Sequence, residues 1–124
     1  MKRKILIVGE SEEFLRIIQL VLTAQGYEVL TAMDRDSAVS VVEYFTPDLV
    51  ILDIVLADGN GWEVCWRIRG HMDLKVCGIP ILLSSNLHPG KLIERGSRIG
   101  IDDYLGKPFQ IKELTKKVRL LMSC

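Results

Sequence analysis

Apolar residues follow two patterns along this chain. Some come in short unbroken runs: Ile5–Val8, Leu49–Leu52 and Ile79–Leu83, the last with Pro80 near its start. Continuous apolar runs without alternation suit strands buried on both faces, as in parallel sheets. Glu28–Ala32 and Tyr104–Leu105 are weaker strand candidates. Between these runs, apolar positions recur at spacings of three and four. Leu15, Ile18 and Leu22 form one helical face, and Gly26 then offers a C-terminal cap. Ala38, Val41, Val42 and Phe45 form a second, ending before Pro47. A third helix is predicted over Gly61–Arg69 and a shorter fourth over Pro89–Arg98. Ile111, Leu114, Val118 and Leu121 line one face of the last. In the third helix Cys65 and Ile68 face the sheet, and at about 100° per residue Trp66 points away from them.

Strand and helix alternate five times. This order predicts an α/β fold, a doubly wound parallel five-stranded sheet with helices on both faces. In such sheets sites lie beyond the carboxyl ends of the strands. Those ends carry Gly9-Glu10, Asp53, Ser84-Ser85 and Lys107-Pro108. One crevice thus gathers two carboxylates, a hydroxyl and an ammonium. Neighbouring carboxylates repel unless a hard cation lies between them, and Mg²⁺ takes oxygen ligands and needs only one or two carboxylates. A carboxylate beside Mg²⁺ can act as a nucleophile on phosphorus. A lysine and a hydroxyl would then hold the phosphoryl oxygens, which suits a reaction that is mostly positioning and charge neutralisation. Each residue also has a plainer role. Asp53 could cap a turn, Glu10 could favour a helix dipole with Glu12 and Glu13, Ser85 could be a loop residue, and Lys107 a solvated charge. Their coincidence at four strand ends favours the shared site.

Composition fits one globular domain. The chain has 124 residues, 48% hydrophobic and 26% charged, enough for a single full core. Its 16 basic and 16 acidic side chains cancel, which argues against a nucleic-acid module. The zero hides a split: residues 1–62 hold 5 basic and 10 acidic side chains, residues 63–124 hold 11 and 6. No apolar run approaches the roughly 18 residues of a membrane-spanning helix. The basic start Met1-Lys2-Arg3-Lys4 meets Gly9-Glu10 too soon for a signal peptide, so a cytoplasmic location is expected. The three cysteines, Cys65, Cys77 and Cys124, lack CxxC spacing and read as reduced, inert thiols. A zinc site using Cys65, His71 and Cys77 is disfavoured by its ligand spacing.

Pro47-Asp48-Leu49-Val50-Ile51-Leu52-Asp53 and Asp102-Asp103-Tyr104-Leu105-Gly106-Lys107-Pro108-Phe109 resemble a bacterial response-regulator receiver domain of the CheY-like family. Asp58-Gly59-Asn60-Gly61 and Ile79–Ser85 lie between them at agreeing spacing, and the resemblance covers nearly the whole chain. It implies a flavodoxin-like (βα)5 fold with strand order 2-1-3-4-5. It implies that Asp53 accepts a phosphoryl group from a histidine-kinase phosphohistidine. Ser85 and Lys107 would bind that group, and Tyr104 would be the aromatic switch that follows Ser85. Lys107-Pro108 would be a cis bond, a minority form even before proline. Mg²⁺ would be held by Asp53, Glu10 and the backbone carbonyl of Val55.

The sequence departs from the family at Gly9, where the first of two acids is missing, and at Glu10, where the second is a longer Glu. Mg²⁺ tolerates little geometric error. Ala57 and Gly106 are smaller departures. Gly9 keeps open an alternative, a phosphorylation-independent pseudo-receiver acting as a protein-binding module. Three other classes fit poorly. A dehalogenase-like phosphatase needs an Asp where Val55 stands. The acidic Glu10-Ser11-Glu12-Glu13 would repel a flavin phosphate, and no Walker loop occurs. The expected partners are a sensor histidine kinase or phosphotransfer protein, and a downstream protein or second copy. The latter would dock on the face of the fourth helix, fifth strand and fifth helix. That face would carry Lys91, Arg95, Tyr104, Lys112, Lys116, Lys117 and Arg119, and would otherwise be a solvated basic surface. Residues 1–124 read as a single receiver domain with no output domain, either stand-alone or part of a longer regulator.

Overall fold

The computed structural model describes residues 2–56, 59–86 and 89–123; Ala57, Asp58 and Cys124, singled out above, lie outside them. Strands β1 (Lys4–Val8), β2 (Glu28–Ala32), β3 (Leu49–Asp53), β4 (Ile81–Ser85) and β5 (Asp103–Gly106) form one sheet. Its order is β2-β1-β3-β4-β5, and every neighbouring pair is parallel. The helices are α1 (Glu12–Ala24), α2 (Arg35–Phe45), α3 (Gly61–Arg69), α4 (Pro89–Ile99) and α5 (Ile111–Leu121). A helical turn at Leu74–Cys77 and a short antiparallel ladder of Val55–Leu56 with Gly59–Asn60 complete the described elements.

The apolar runs are continuous because both sheet faces are covered. Leu6, Val8, Val50, Leu52, Ile81 and Leu83 join Ala38 and Val42 of α2 and Val64, Cys65 and Ile68 of α3 in one cluster. Ile5, Ile7, Leu49, Ile51 and Leu82 join Leu15, Ile18 and Leu22 of α1 and Leu114 and Val118 of α5 in the other. Successive residues point to opposite faces, so an alternating strand would strand polar groups in one core.

The helix ends follow local chemistry. The Ser11 hydroxyl accepts from the Phe14 N–H at 3.2 Å, and the Asp34 carboxylate accepts from the Ser37 N–H at 2.7 Å. Both satisfy donors that the first helical turn leaves unpaired. Gly26, at φ 96°, follows the last turn of α1 in the left-handed conformation that glycine adopts without strain.

Four expectations shift. The fourth strand begins at Ile81 rather than Ile79, since Pro80 has no N–H for the ladder and the Ile81 N–H instead donates to the Asp102 carboxylate at 2.7 Å. The fourth helix runs one residue longer, to Ile99. Phe45 does not continue the buried face of α2: it is 41% exposed, stacked edge-on with Tyr44 at 4.9 Å in the last turn. Ile111 is 44% exposed at the start of α5, where Leu114 and Val118 carry the burial.

Candidate functional site

The carboxyl ends of β1, β3, β4 and β5 lie along one edge of the parallel sheet, and the predicted groups stand at those ends. Asp53 is the last residue of β3 and pairs in register with Ser84 of β4. Its carboxylate accepts from Lys107 Nζ at 2.6 Å, and the two side chains are only 13% and 22% exposed. Lys107 follows β5, and its N–H donates to the Ser85 carbonyl at 2.8 Å, tying the ammonium-bearing segment to the end of β4. The Lys107–Pro108 peptide bond is cis. Ser85 is buried at the end of β4. Its neighbour Ser84 is buried too, and the Ser84 hydroxyl has no hydrogen-bond partner among the described residues.

The first strand ends at Val8, and the Gly9 N–H donates to the Ala32 carbonyl at 3.1 Å. Glu10 follows as an exposed side chain. A Cβ built on Gly9 would lie 3.7 Å from Asp53 Cβ, an ordinary contact, so residue 9 adjoins Asp53. On the other side, the start of α3 presses on the end of β3. A Cβ on Gly61 would collide with the Asp53 carbonyl, and the Gly61 N–H donates to the Ile54 carbonyl. Only glycine permits that approach.

Among the described residues no group of three or more His, Cys, Asp or Glu side chains could hold a metal ion. A cation here would depend on a smaller set: the Asp53 and Glu10 carboxylates and the Val55 carbonyl, whose residue is held by pairing with Asn60. These donors are all oxygen and suit a hard divalent ion that keeps several waters. His71 Nε2 lies 2.9 Å from Glu43 Oε2. Cys65 and Cys77 are free thiols. Burial pushes the Cys65 thiol up to about 12.

Two expectations about the surface part ways. Trp66 is 70% exposed, as its helical phase predicts, whereas Trp62 is buried in the first turn of α3 with the Arg95 guanidinium 5.1 Å from its ring centre. Lys117 is not a free cation of the basic face. It reaches Asp103 at 3.0 Å and lies 5.5 Å from the centre of the half-buried Tyr104 ring. Lys112, Lys116 and Arg119 are exposed, and the side chain of Lys91 lies outside the described set.

Two features escaped the sequence. The Phe14 ring, in the first turn of α1, lies 4.5 Å from Lys107 Nζ and packs edge-on against Phe109. Arg69 gathers four acceptors at the far end of α3. The first has no motif, and the second bonds mainly carbonyls, which leave no mark in a sequence.

The response regulator receiver domain family matches residues 5–119. The chain is 37% identical over 123 residues to a protein of Cyanophora paradoxa described as a probable transcriptional regulator, ycf27, covering 98% of this chain and 48% of that one. It is 33% identical over 122 residues to the alkaline phosphatase synthesis transcriptional regulatory protein PhoP of Bacillus subtilis (strain 168), covering 98% and 49%. It therefore spans about half the length of these curated relatives. Among solved structures, chemotaxis protein CheY4 of Vibrio cholerae superimposes with a TM-score of 0.89 at 26% identity, covering 98% of this chain and 99% of that one. A two-component response regulator from Clostridium difficile gives 0.88 at 28% identity, covering 98% and 97%. With its sheet order and its strand-end acid, serine and lysine, the chain belongs to the response regulator receiver domain family of two-component signalling.

Proposed function

We propose that Asp53 accepts a phosphoryl group from the phosphohistidine of a sensor histidine kinase or phosphotransfer protein. The observation that carries this reading is the Asp53 carboxylate at the end of β3, 2.6 Å from the Lys107 ammonium. An Asp53 oxygen attacks phosphorus as the bond to the imidazole nitrogen breaks. The bonding pair leaves with the imidazole, and an acyl phosphate forms on Asp53. Lys107 passes from the carboxylate to a phosphoryl oxygen, and the Ser85 hydroxyl donates to another. Phosphorylation and Mg²⁺ are typical of receiver domains. In this chain Asp53, Glu10 and the Val55 carbonyl would hold the ion, which when bound neutralises charge on the transferring group.

Output follows from the same residues. Tyr104, half-buried on β5, turns inward as Ser85 engages the phosphoryl group. The change is read on the α4–β5–α5 face, where Arg95, Lys112, Lys116 and Arg119 are exposed, by a downstream protein or a second copy. The domain itself reads no nucleic acid, consistent with its zero net charge. No helix of the described residues is long and apolar enough to cross a membrane, in keeping with a cytoplasmic receiver spanning residues 1–124.

Gly9 favours a second reading, a pseudo-receiver whose fold binds partners without phosphorylation. Labelling with acetyl phosphate and Mg²⁺, read by intact mass, separates the two. The first reading expects one phosphoryl group on the wild type and none on Asp53→Asn; an unlabelled wild type favours the second.

A further inference from the structure

Among the described residues the Lys107 ammonium meets two groups. It lies 2.6 Å from Asp53 Oδ2 and 4.5 Å from the centre of the Phe14 ring. The ring also packs edge-on with Phe109, whose centre is 6.1 Å away at an interplanar angle of 76°. Phe14 and Lys107 are both half-buried, and partial desolvation strengthens the attraction of a cation to a ring face. The same ring borders the missing acid. A Cβ on Gly9 would lie 3.8 Å from Phe14 Cδ2 and 3.7 Å from Asp53 Cβ. Residue 9 therefore supplies no counter-charge beside Asp53, and among the described residues the phenyl face is the ammonium's other partner.

We infer that Phe14 is a positioning residue whose ring holds the Lys107 ammonium on Asp53, at a site where glycine stands in place of an acid. The inference rests on the reading of Asp53 as phosphoacceptor. An ammonium held at Asp53 opposes a divalent cation at the same carboxylate, since like charges repel. The same ammonium is in place for the incoming phosphoryl oxygens. Removing the ring thus tightens Mg²⁺ binding while slowing phosphoryl transfer.

The test compares the full chain with Phe14→Leu, which keeps an apolar side chain without a π face, and Phe14→Tyr, which keeps the face. Three quantities are read: the ring-current shift of the Lys107 Hε protons in metal-free protein, the Mg²⁺ dissociation constant from tryptophan fluorescence, and the rate of labelling by acetyl phosphate. Phe14→Leu is expected to lose the upfield shift, to bind Mg²⁺ about three- to tenfold more tightly, and to label about three- to tenfold more slowly, the range a partly buried cation–π contact spans. Phe14→Tyr is expected to keep all three. An unshifted Lys107 in the wild type, or a Leu variant whose affinity and rate move in the same direction, overturns the inference. An unlabelled wild type refutes the phosphoacceptor reading instead, and the shift and Mg²⁺ measurements still decide whether the ring holds the ammonium.

Discussion

Arg69 Nη2 donates to Asp102 Oδ2 at 2.9 Å, and that same oxygen accepts the Ile81 N–H at 2.7 Å. The remaining Arg69 donors reach the carbonyls of Cys77 (2.8 Å), Ile79 (2.7 Å) and Gly100 (2.8 Å). One side chain thus joins the end of α3, the approach to β4, the turn after α4 and the approach to β5. Arg69→Ala is expected to lower unfolding free energy by about 2–4 kcal/mol, because hydrogen bonds to charged groups contribute more than neutral ones and several acceptors lose their partner together. Urea denaturation measures this. A loss below about 0.5 kcal/mol, the ordinary surface range, would show the knot to be ornamental.

The two tryptophans are predicted to behave oppositely. Trp62 is 5% exposed and Trp66 is 70% exposed. Trp62→Ala is expected to cost about 3–5 kcal/mol, as for a large buried aromatic, and Trp66→Ala to stay within about 0.5 kcal/mol of the wild type. Urea midpoints of the two variants provide the comparison, and equal losses would contradict it.

Much of this distinction was legible in the sequence. The phase of Gly61–Arg69 put Cys65 and Ile68 inward and Trp66 outward, and the structure agrees. The apolar runs marked their strands because parallel pairing buries both faces, whereas Glu28–Ala32, an edge strand with Glu28 and Thr31 exposed, gave a weaker signal. The strand-end rule led to Asp53, Ser85 and Lys107, and the structure brings Asp53 and Lys107 into direct contact. What was not legible depends on contacts without side-chain periodicity. Arg69 looks like any solvated arginine, since three of its four partners are carbonyls. Phe14 carries apolar character, but only the fold shows that its face meets Lys107. Lys117 read as surface charge because its partner Asp103 belongs to a different element. Phe45 had the helical phase for burial but lies in the final turn, and it is 41% exposed.

Cys65 supplies a pH signature. Burial holds its thiol protonated up to about 12 in the folded state, whereas an unfolded cysteine ionises near roughly 8.5. A raised folded value means the native state keeps the proton longer. The contribution is fully present below the unfolded value and is lost as pH rises toward the folded one. Stability should therefore fall between about pH 8.5 and 12 more steeply in the wild type than in Cys65→Val, which cannot ionise. In a Cys124→Ser background, a thiol reagent at pH 8 should modify Cys77 readily and Cys65 only at the rate of unfolding. Rapid double labelling of folded protein would contradict the burial argument.

Gly9→Asp tests what a carboxylate at residue 9 does. Space exists for the Cβ, which meets Asp53 Cβ at 3.7 Å. Without metal a second carboxylate beside Asp53 adds like-charge repulsion, so the variant should be less stable than the wild type, by about 1 kcal/mol. With Mg²⁺ the order should narrow or reverse, because a ligand that binds only the folded state stabilises it in proportion to its affinity. Thermal unfolding with and without MgCl2 gives both numbers. Equal Mg²⁺-induced shifts in the wild type and the variant would show that residue 9 has no part in holding the ion.

The central claim is that Asp53 takes up a phosphoryl group at a site where residue 9 is glycine. The direct measurement is site-resolved mass spectrometry after incubation with acetyl phosphate, with Mg²⁺ or with a chelator, on the wild type and Asp53→Asn. The account predicts a single phosphoryl group on the peptide containing Asp53, dependent on Mg²⁺ and absent from Asp53→Asn. An unlabelled wild type with Mg²⁺ present, or equal labelling of Asp53→Asn, would contradict it.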